Sequence, residues 1–528
     1  MFSESNWSRK SIGDVDVVYH DGLYHLFHLV LPNHDFIAHA VSDNAVNWRR
    51  VDNAIFIGDP GSWDDLMLWT MAISADPYKP GSWRMFYTGL SRCDQGVKQR
   101  IGLAVSDDLY RWTKVPSWWE DRRGKNDPEP IKQAIHNLQP TQCTRIKATH
   151  DADSAYPLEP DLEYYEASYD DDRNWISFRD PFYYRENGEG YLIMAARSNH
   201  GPLVRRGCVG AMKEVAPNKF EVRPPLYEPM HYDDIEVPNL FKMDDEYYLI
   251  GSIREDAKIR YWHTSKIGQP WRNYSDNVLL PTGNYAGRIC HDDKGTLLWN
   301  FYTANLYDRQ HGNLMPMPKR LVHTSEGQLK ARAYEGLRER ELDTINTRAI
   351  ITLKDATSED YCEIEGDHLH LSSEAGFQGY VFRQKAECFR LSAKLRMVGA
   401  GKCGLLYRIN RQNHDGYYLS LDLRKGIAQL RAWGTGPKRS GEDMMRFAAL
   451  QGGNYFAEDR HNVSIQLVCF GSYHELSIND NVILSLADSR YHEGAFGFYV
   501  ETADLHIHDL NVVRLESPEQ TDHHLTRG

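Results

Sequence analysis

The chain has 528 residues, 41% of them hydrophobic and 26% charged, with a net charge of −13. This is an ordinary globular balance, too long for one core, so two domains are expected. The negative charge argues against a nucleic-acid binder, which needs concentrated Lys and Arg, no run approaches the roughly 18 apolar residues of a membrane helix, and no CxxC pair stands among the eight cysteines to suggest zinc or a disulfide scaffold.

The opening residues, MFSESNWSRKSIGDVDVVYHDG, contain no apolar h-region, so a cytoplasmic protein with reduced thiols is expected. From there one pattern recurs, a turn of Gly, Asp or Asn followed by an alternating apolar-aromatic strand. It reads His20-Asp21-Gly22-Leu23-Tyr24-His25-Leu26-Phe27, then Gly81-Ser82-Trp83-Arg84-Met85-Phe86-Tyr87-Thr88. It returns at Asn187 to Met194, at Met243 to Ile250 and at Asp292 to Trp299. Turn plus period-two alternation marks a hairpin.

A further strand follows in most copies: Ala38 to Asp43 closing at Trp48, Gly102 to Leu109 closing at Trp112, and Arg260 to Ser265 closing at Trp271. Strand-rich units repeating every ~40–60 residues predict propeller blades. Five units predict a five-bladed β-propeller, and residues 1–335 are assigned to it. The polar, Pro-rich stretch from Pro116 to Asp172 reads as an inter-blade insertion, with a short helix predicted over Ile131 to Leu138 and a solvated basic loop at Arg122-Arg123-Gly124-Lys125.

A linker covers residues 336–344. From 345 to 528 the strands become short and regular, as in Phe389 to Leu395, Tyr417 to Leu421 and Asn462 to Leu467, and predict a C-terminal β-sandwich. The polar tail from Glu516 is expected to fray. The fold class is therefore all-β.

Three acidic motifs stand far apart in the propeller region: Gly13-Asp14-Val15-Asp16, Arg179-Asp180-Pro181 and Ile235-Glu236-Val237-Pro238. Inner strands of a propeller can bring all three to one central point. A glycosidase needs such a set: one carboxylate to attack the anomeric carbon and a second carboxyl to protonate the leaving oxygen. Arg179 beside Asp180 favours an ionised carboxylate able to accept hydrogen bonds from sugar hydroxyls. Glu236 lies at the start of an apolar strand, where burial raises the pKa as an acid requires. Each motif alone also fits a solvated surface charge; their order and blade placement carry the reading.

Those motifs, Phe178-Arg179-Asp180-Pro181-Phe182 and Glu236-Val237-Pro238-Asn239-Leu240-Phe241 among them, resemble glycoside hydrolase family 32, the β-fructofuranosidases. Tyr24-His25-Leu26-Phe27, His39-Ala40-Val41-Ser42, Phe86-Tyr87-Thr88-Gly89 and Ser106-Asp107-Asp108-Leu109 are similar too. The resemblance covers about residues 10–335 and implies a five-bladed propeller followed by a lectin-like jelly-roll sandwich. It implies Asp14 as nucleophile, Asp180 as transition-state stabiliser and Glu236 as acid/base, with no cofactor and no metal. Asp16, two residues on and on the same strand face, is the rival nucleophile.

The departures are local. Trp-Met-Asn-Asp-Pro-Asn-Gly is absent, His28-Leu29 stands where the family has an aromatic and Gln, Ile37-Ala38 replaces Trp-Gly, and Val237 replaces Cys. The chemistry is expected to be kept while the sugar subsite is rebuilt. Trp63 and Asp64 are expected on a rim loop, Trp69 on a second inner strand as a stacking platform or a core residue, and Arg288 on a fifth inner strand as a hydroxyl contact or an ion-pair partner. His25 and His39 read as core histidines, and His150, Asp151 and Asp153 as a solvated loop.

The expected activity is retaining hydrolysis of a terminal furanoside, a β-fructofuranoside of a short oligosaccharide first. The partner is a small carbohydrate, with no nucleic acid and no membrane, and the sandwich strands offer a homodimer contact. An arabinofuranosidase-like enzyme, a fructosyl-transferring enzyme and a non-catalytic sugar-binding protein are the alternatives.

Overall fold

A computed structural model describes residues 1–2, 11–119, 150–167, 175–274, 276–303, 313–358, 360–434, 447–457, 459, 461–518 and 522–526. The helix predicted at 131–138 and the basic loop at 122–125 lie outside the described residues. The chain divides into two compact units, one of residues 1–279, 283–329 and 520–528, the other of residues 280–282 and 330–519. No helix among the described residues is long and apolar enough to cross a membrane.

The first unit is a propeller-like set of antiparallel meanders. One comprises β1 (Ser11–His20), β2 (Leu23–Leu31), β3 (Phe36–Ser42) and β4 (Arg49–Phe56). The next comprises β5 (Met67–Ala75), β6 (Trp83–Leu90), β7 (Arg100–Ser106) and β8 (Thr113–Lys114). Then come β9 (Phe178–Glu186), β10 (Glu189–Arg197), β11 (Gly207–Ala216) and β12 (Lys219–Tyr227), and β13 (Ile235–Met243), β14 (Glu246–Ile253), β15 (Lys258–Thr264) and β16 (Val278–Leu280). A further run follows the same order: β17 (Asn284–Asp292), β18 (Gly295–Tyr302) and β19 (Lys319–His323). The five repeats read from the sequence are the second strands β2, β6, β10, β14 and β18, each entered through its predicted turn.

Apolar faces of successive sheets pack on each other rather than on a common centre. Phe27, Leu29, Ile37 and Ile55 meet Trp63, Met71, Met85 and Trp112. Phe86, Ile101 and Leu103 meet Phe178, Leu192 and Met194, and Ile193 and Val209 meet Ile235, Leu240 and Trp262. That leaves the first strands as inner edges. β1 lies beside β5, β5 beside β9, β9 beside β13, β13 beside β17, and β17 beside β1, which closes a ring.

The second unit is a β-sandwich-like sheet. Its longest strands, His368–Ala386 and Gly494–Leu515, pair antiparallel. Phe389–Val398 pairs with both Gly494–Leu515 and Asn462–Phe470, and its burial alternates strictly, with Phe389, Leu391, Leu395 and Met397 inward. The expected linker is a short 3-10 helix, Glu335–Arg340, followed by the strand Glu341–Thr344. The tail does not fray throughout: Asp522–Thr526 pairs in parallel with β4, where an open sheet edge supplies backbone partners without demanding apolar side chains.

Candidate active site

The inner strands share one irregularity. The ladder to the second strand slips by one residue between Ile12 and Val15, between Trp69 and Met71, between Arg179 and Phe182, between Glu236 and Asn239, and between Tyr285 and Arg288. Each slip places one extra residue on the inner strand, a β-bulge that bends the strand and re-aims its side chains. Asp14 and Asp180 lie inside bulges and Glu236 at the edge of one. Asp180 and Val237 have φ of 59° and 51°, left-handed conformations that a regular strand never visits. Pro181 and Pro238 follow in and after these bends, on edge strands where a missing N–H breaks no ladder bond.

The bulges surround a cavity of about 550 Å³ lined by Asp14, Asp180 and Glu236 together with Trp69, Thr70, Trp175, Arg179, Arg254 and Tyr285. Thr70 donates to Asp14 Oδ2. The Asp180 carboxylate accepts the Val237 N–H at 3.0 Å, and its own N–H donates to Thr88 Oγ1 at 3.1 Å. Glu236 Oε1 receives Arg179 Nη2 at 2.7 Å and Oε2 receives the Tyr285 hydroxyl at 2.5 Å. Arg179 also reaches Asp180 Oδ2 at 3.6 Å through Nε, so one guanidinium spans two of the three acids. Asp234, fully buried, receives Arg179 at 3.2 Å, Arg197 at 2.8 Å and the Ser177 hydroxyl at 2.9 Å, and thereby fixes Arg179 from behind. The Trp175 ring centroid lies 5.1 Å from the guanidinium carbon of Arg197 and 5.2 Å from that of Arg254.

Enclosure governs the protonation of these groups. Burial pushes Asp14 up to about 7, reinforced by the neighbouring charges of Asp180 and Glu236 and opposed by Thr70 and Arg288. Burial also raises Glu236, opposed by Arg179 and Tyr285, which favour its charged form. Each of the two carboxyl groups therefore holds its proton to higher pH than a solvated acid does. One carboxylate and one carboxylic acid facing the same cavity can perform nucleophilic attack and proton donation together.

Residues 14–124 match the family described as the glycosyl hydrolases family 32 N-terminal domain. The structure is similar to sucrose-6-phosphate hydrolase from Lactobacillus gasseri, at 15% identity and a TM-score of 0.63 over 96% of this chain and 91% of that one. The chain is a glycoside hydrolase family 32-like protein. The family 32-like chain is also similar in fold to fructan 1-exohydrolase IIa from Cichorium intybus, at 14% identity and a TM-score of 0.64 over 98% and 97% of the two chains. A third similar structure is exo-inulinase from Aspergillus awamori, at 14% identity and a TM-score of 0.62 over 96% of each chain. No curated protein sequence matches.

The family 32-like chain brings Asp14, Asp180, Glu236, Arg179 and Trp69 to its cavity and leaves four expected residues out of it. Asp16 lies past the first bulge, and its buried carboxylate accepts the N–H of Ile73 at 2.6 Å and of Val17 at 3.1 Å, so the shared strand face expected for Asp14 and Asp16 does not survive the bend. Trp63 is packed in the core, where Gly89 and Gly102 leave room for its ring. Asp64 is fully buried and joined to Lys114 and to Tyr87, not exposed on a rim. Arg288 is buried as well, and its guanidinium donates to backbone carbonyls rather than facing the cavity. His25 and His39 form a buried pair at 3.1 Å, both kept neutral by burial. Asp151 closes a turn by accepting the Asp153 N–H, and no three His, Cys, Asp or Glu side chains among the described residues form a metal site.

Sequence reasoning missed Tyr285, Asp234 and Trp175. Tyr285 stands three residues before Arg288, and Asp234 two before Glu236. Nothing in either segment showed which side chain would face the cavity.

Proposed function

We propose that this family 32-like glycosidase is a retaining β-fructofuranosidase acting on the terminal residue of a short oligosaccharide, on a propeller of five blades followed by a jelly-roll sandwich. The observation that carries the reading is the convergence of Asp14, Asp180 and Glu236 on one cavity, with Arg179 bridging the last two. Fold relatives support the substrate class: the Bombyx mori β-fructofuranosidase has been solved with sucrose, and the Cichorium intybus exohydrolase with 1-kestose.

In the proposed cycle, an Asp14 carboxylate oxygen attacks the anomeric carbon while Glu236 gives its proton to the departing glycosidic oxygen. The sugar is left as an ester on Asp14. Glu236, now ionised, takes a proton from water, the resulting hydroxide attacks the anomeric carbon, and Asp14 leaves as carboxylate. Asp180 accepts hydrogen bonds from ring hydroxyls, which strengthen as positive charge develops on the sugar. The retaining route requires the Asp14 and Glu236 carboxyls about 5–5.5 Å apart.

The test is product release from sucrose, a short inulin oligomer, levanbiose and aryl arabinofuranosides. Fructose release, lost about 10³-fold or more in Asp14→Asn and in Glu236→Gln, is the expected result. Arabinose release would move the substrate class, and undiminished activity in Asp14→Asn would remove the assigned nucleophile.

A further inference from the structure

Arg288, expected as a hydroxyl contact or an ion-pair partner, lines no part of the cavity and has another task. It stands on β17 at the end of that strand's bulge. Its Nη1 donates to the Pro238 carbonyl at 3.1 Å, and its Nη2 donates to the carbonyls of Met71 at 3.1 Å and Pro181 at 2.8 Å. In the ring, β17 packs against β13 and β1 among the inner strands, so reaching Met71 on β5 and Pro181 on β9 carries the side chain across the ring interior. The three carbonyls are those of the residue after Thr70, the residue after Asp180 and the second residue after Glu236. Each belongs to the bend that aims a functional side chain.

The guanidinium suits this place. It offers five donors in a planar fork and stays charged when buried. Its charge is met by Asp16 on β1, Asp180 on β9 and Asp14 on β1, and its Cζ lies 5.7 Å from the Phe182 ring. Asp16 in turn binds the Ile73 N–H of β5. All five inner strands are thereby tied through two buried side chains that line no part of the cavity.

We propose that Arg288 is the positioning residue of this site: it clamps the bends of β5, β9 and β13 and so sets the mutual spacing of Asp14, Asp180 and Glu236. The inference deepens the glycosidase reading and rests on it for its kinetic consequences. A positioning role predicts loss in kcat rather than in KM, because substrate contacts stay in place while the reacting geometry is lost.

Three variants of the full chain test it, each checked for folding by near-UV circular dichroism. Arg288→Met should lower kcat about 100-fold with KM changed by less than about threefold. Its acid limb should move to higher pH, because Asp14 then faces Asp180, Glu236 and Tyr285 without the opposing charge of Arg288. Arg288→Lys keeps the charge without the fork, so its acid limb should return towards wild type while kcat stays at least about tenfold down. Arg288→Gln, with donors and no charge, should show the shifted limb and an intermediate kcat. If Arg288→Met does not fold, the Lys and Gln variants decide.

A raised KM with unchanged kcat would overturn the proposal and make Arg288 a substrate contact. Wild-type kcat and pH profile in Arg288→Lys would overturn it as well. Crystal structures of the variants give a readout without substrate: the Asp14 and Glu236 carboxyl groups should change their separation, and unchanged positions would refute the clamp. An inactive wild type would instead count against the glycosidase reading and leave that structural readout standing.

Discussion

The backbone N–H of Val237 donates to Oδ2 of Asp180 at 3.0 Å, so the residue next to one acid holds the carboxylate of another. Both residues have positive φ, and Val237 is β-branched, a conformation that costs about 1–3 kcal/mol and persists only where surroundings over-determine it. Here the surroundings are visible: Asn239 donates to the Val237 carbonyl at 2.9 Å, and Arg288 grips Pro238 and Pro181. The strained bends are joined to one another.

Arg179 spans Asp180 and Glu236, and a planar fork is needed to do so. Arg179→Lys should lower kcat about 100-fold, since a single ammonium cannot hold both. Arg179→Gln removes the charge that favours ionised Glu236, so the Glu236 pKa rises and the alkaline limb of the kcat/KM profile moves to higher pH. A pH series on both variants checks the two effects separately.

Tyr285→Phe removes only the hydroxyl that donates to Glu236 Oε2. That bond favours the carboxylate, so its loss also shifts the alkaline limb upward, by less than the loss of Arg179. The expected fall in kcat is about tenfold, the worth of one hydrogen bond to a charged group. An unmoved alkaline limb would show that Tyr285 does not tune the acid.

Asp16 carries a stability signature. Burial raises its pKa from the ordinary 3.8 to about 6. The folded state therefore holds this proton more tightly than the unfolded chain, and the associated stability, present below pH 3.8, is lost as pH rises through about 6. That difference corresponds to about 3 kcal/mol. Asp16→Asn stays neutral at every pH, so its Tm relative to wild type should climb between pH 4 and pH 8. A constant difference would refute the assignment.

Asp64 and Lys114 are buried side by side in the β5–β8 sheet region, with side-chain exposures of 0% and 1%. Lys114→Met should cost about 3–5 kcal/mol in chemical denaturation, because it leaves a buried carboxylate without its cation. Adding Asp64→Asn should recover most of that loss, since the amide still accepts from Tyr87 without a charge to compensate. Equal losses in the single and double variants would locate the effect in packing instead.

Much of the architecture was legible because it depends on local rules. Turn residues followed by period-two alternation, as in Asp21-Gly22 before Leu23 or Asp293-Lys294 before Gly295, mark a hairpin wherever they occur. The strand texture after residue 345 was legible for the same reason. The tail was misread in part because pairing at an open edge depends on backbone groups, which every polar segment possesses. Trp63 and Asp64 were misplaced, and Arg288 was left open between a hydroxyl contact and an ion pair, because their residue types suit a binding site and a satisfied interior equally well.

Repeating antiparallel strands, the places of the turns, and the three acidic motifs that could meet on inner strands were all legible in the residues. These follow from alternation, turn chemistry and chain order, all short-range properties. That Asp14 rather than Asp16 faces the cavity, that Tyr285 and Arg179 share Glu236, and that Arg288 crosses the ring emerged with long-range packing. Each of those outcomes turns on a one-residue bulge and on a partner 49 to 217 positions away, and a bulge redirects a side chain without changing the residue that carries it.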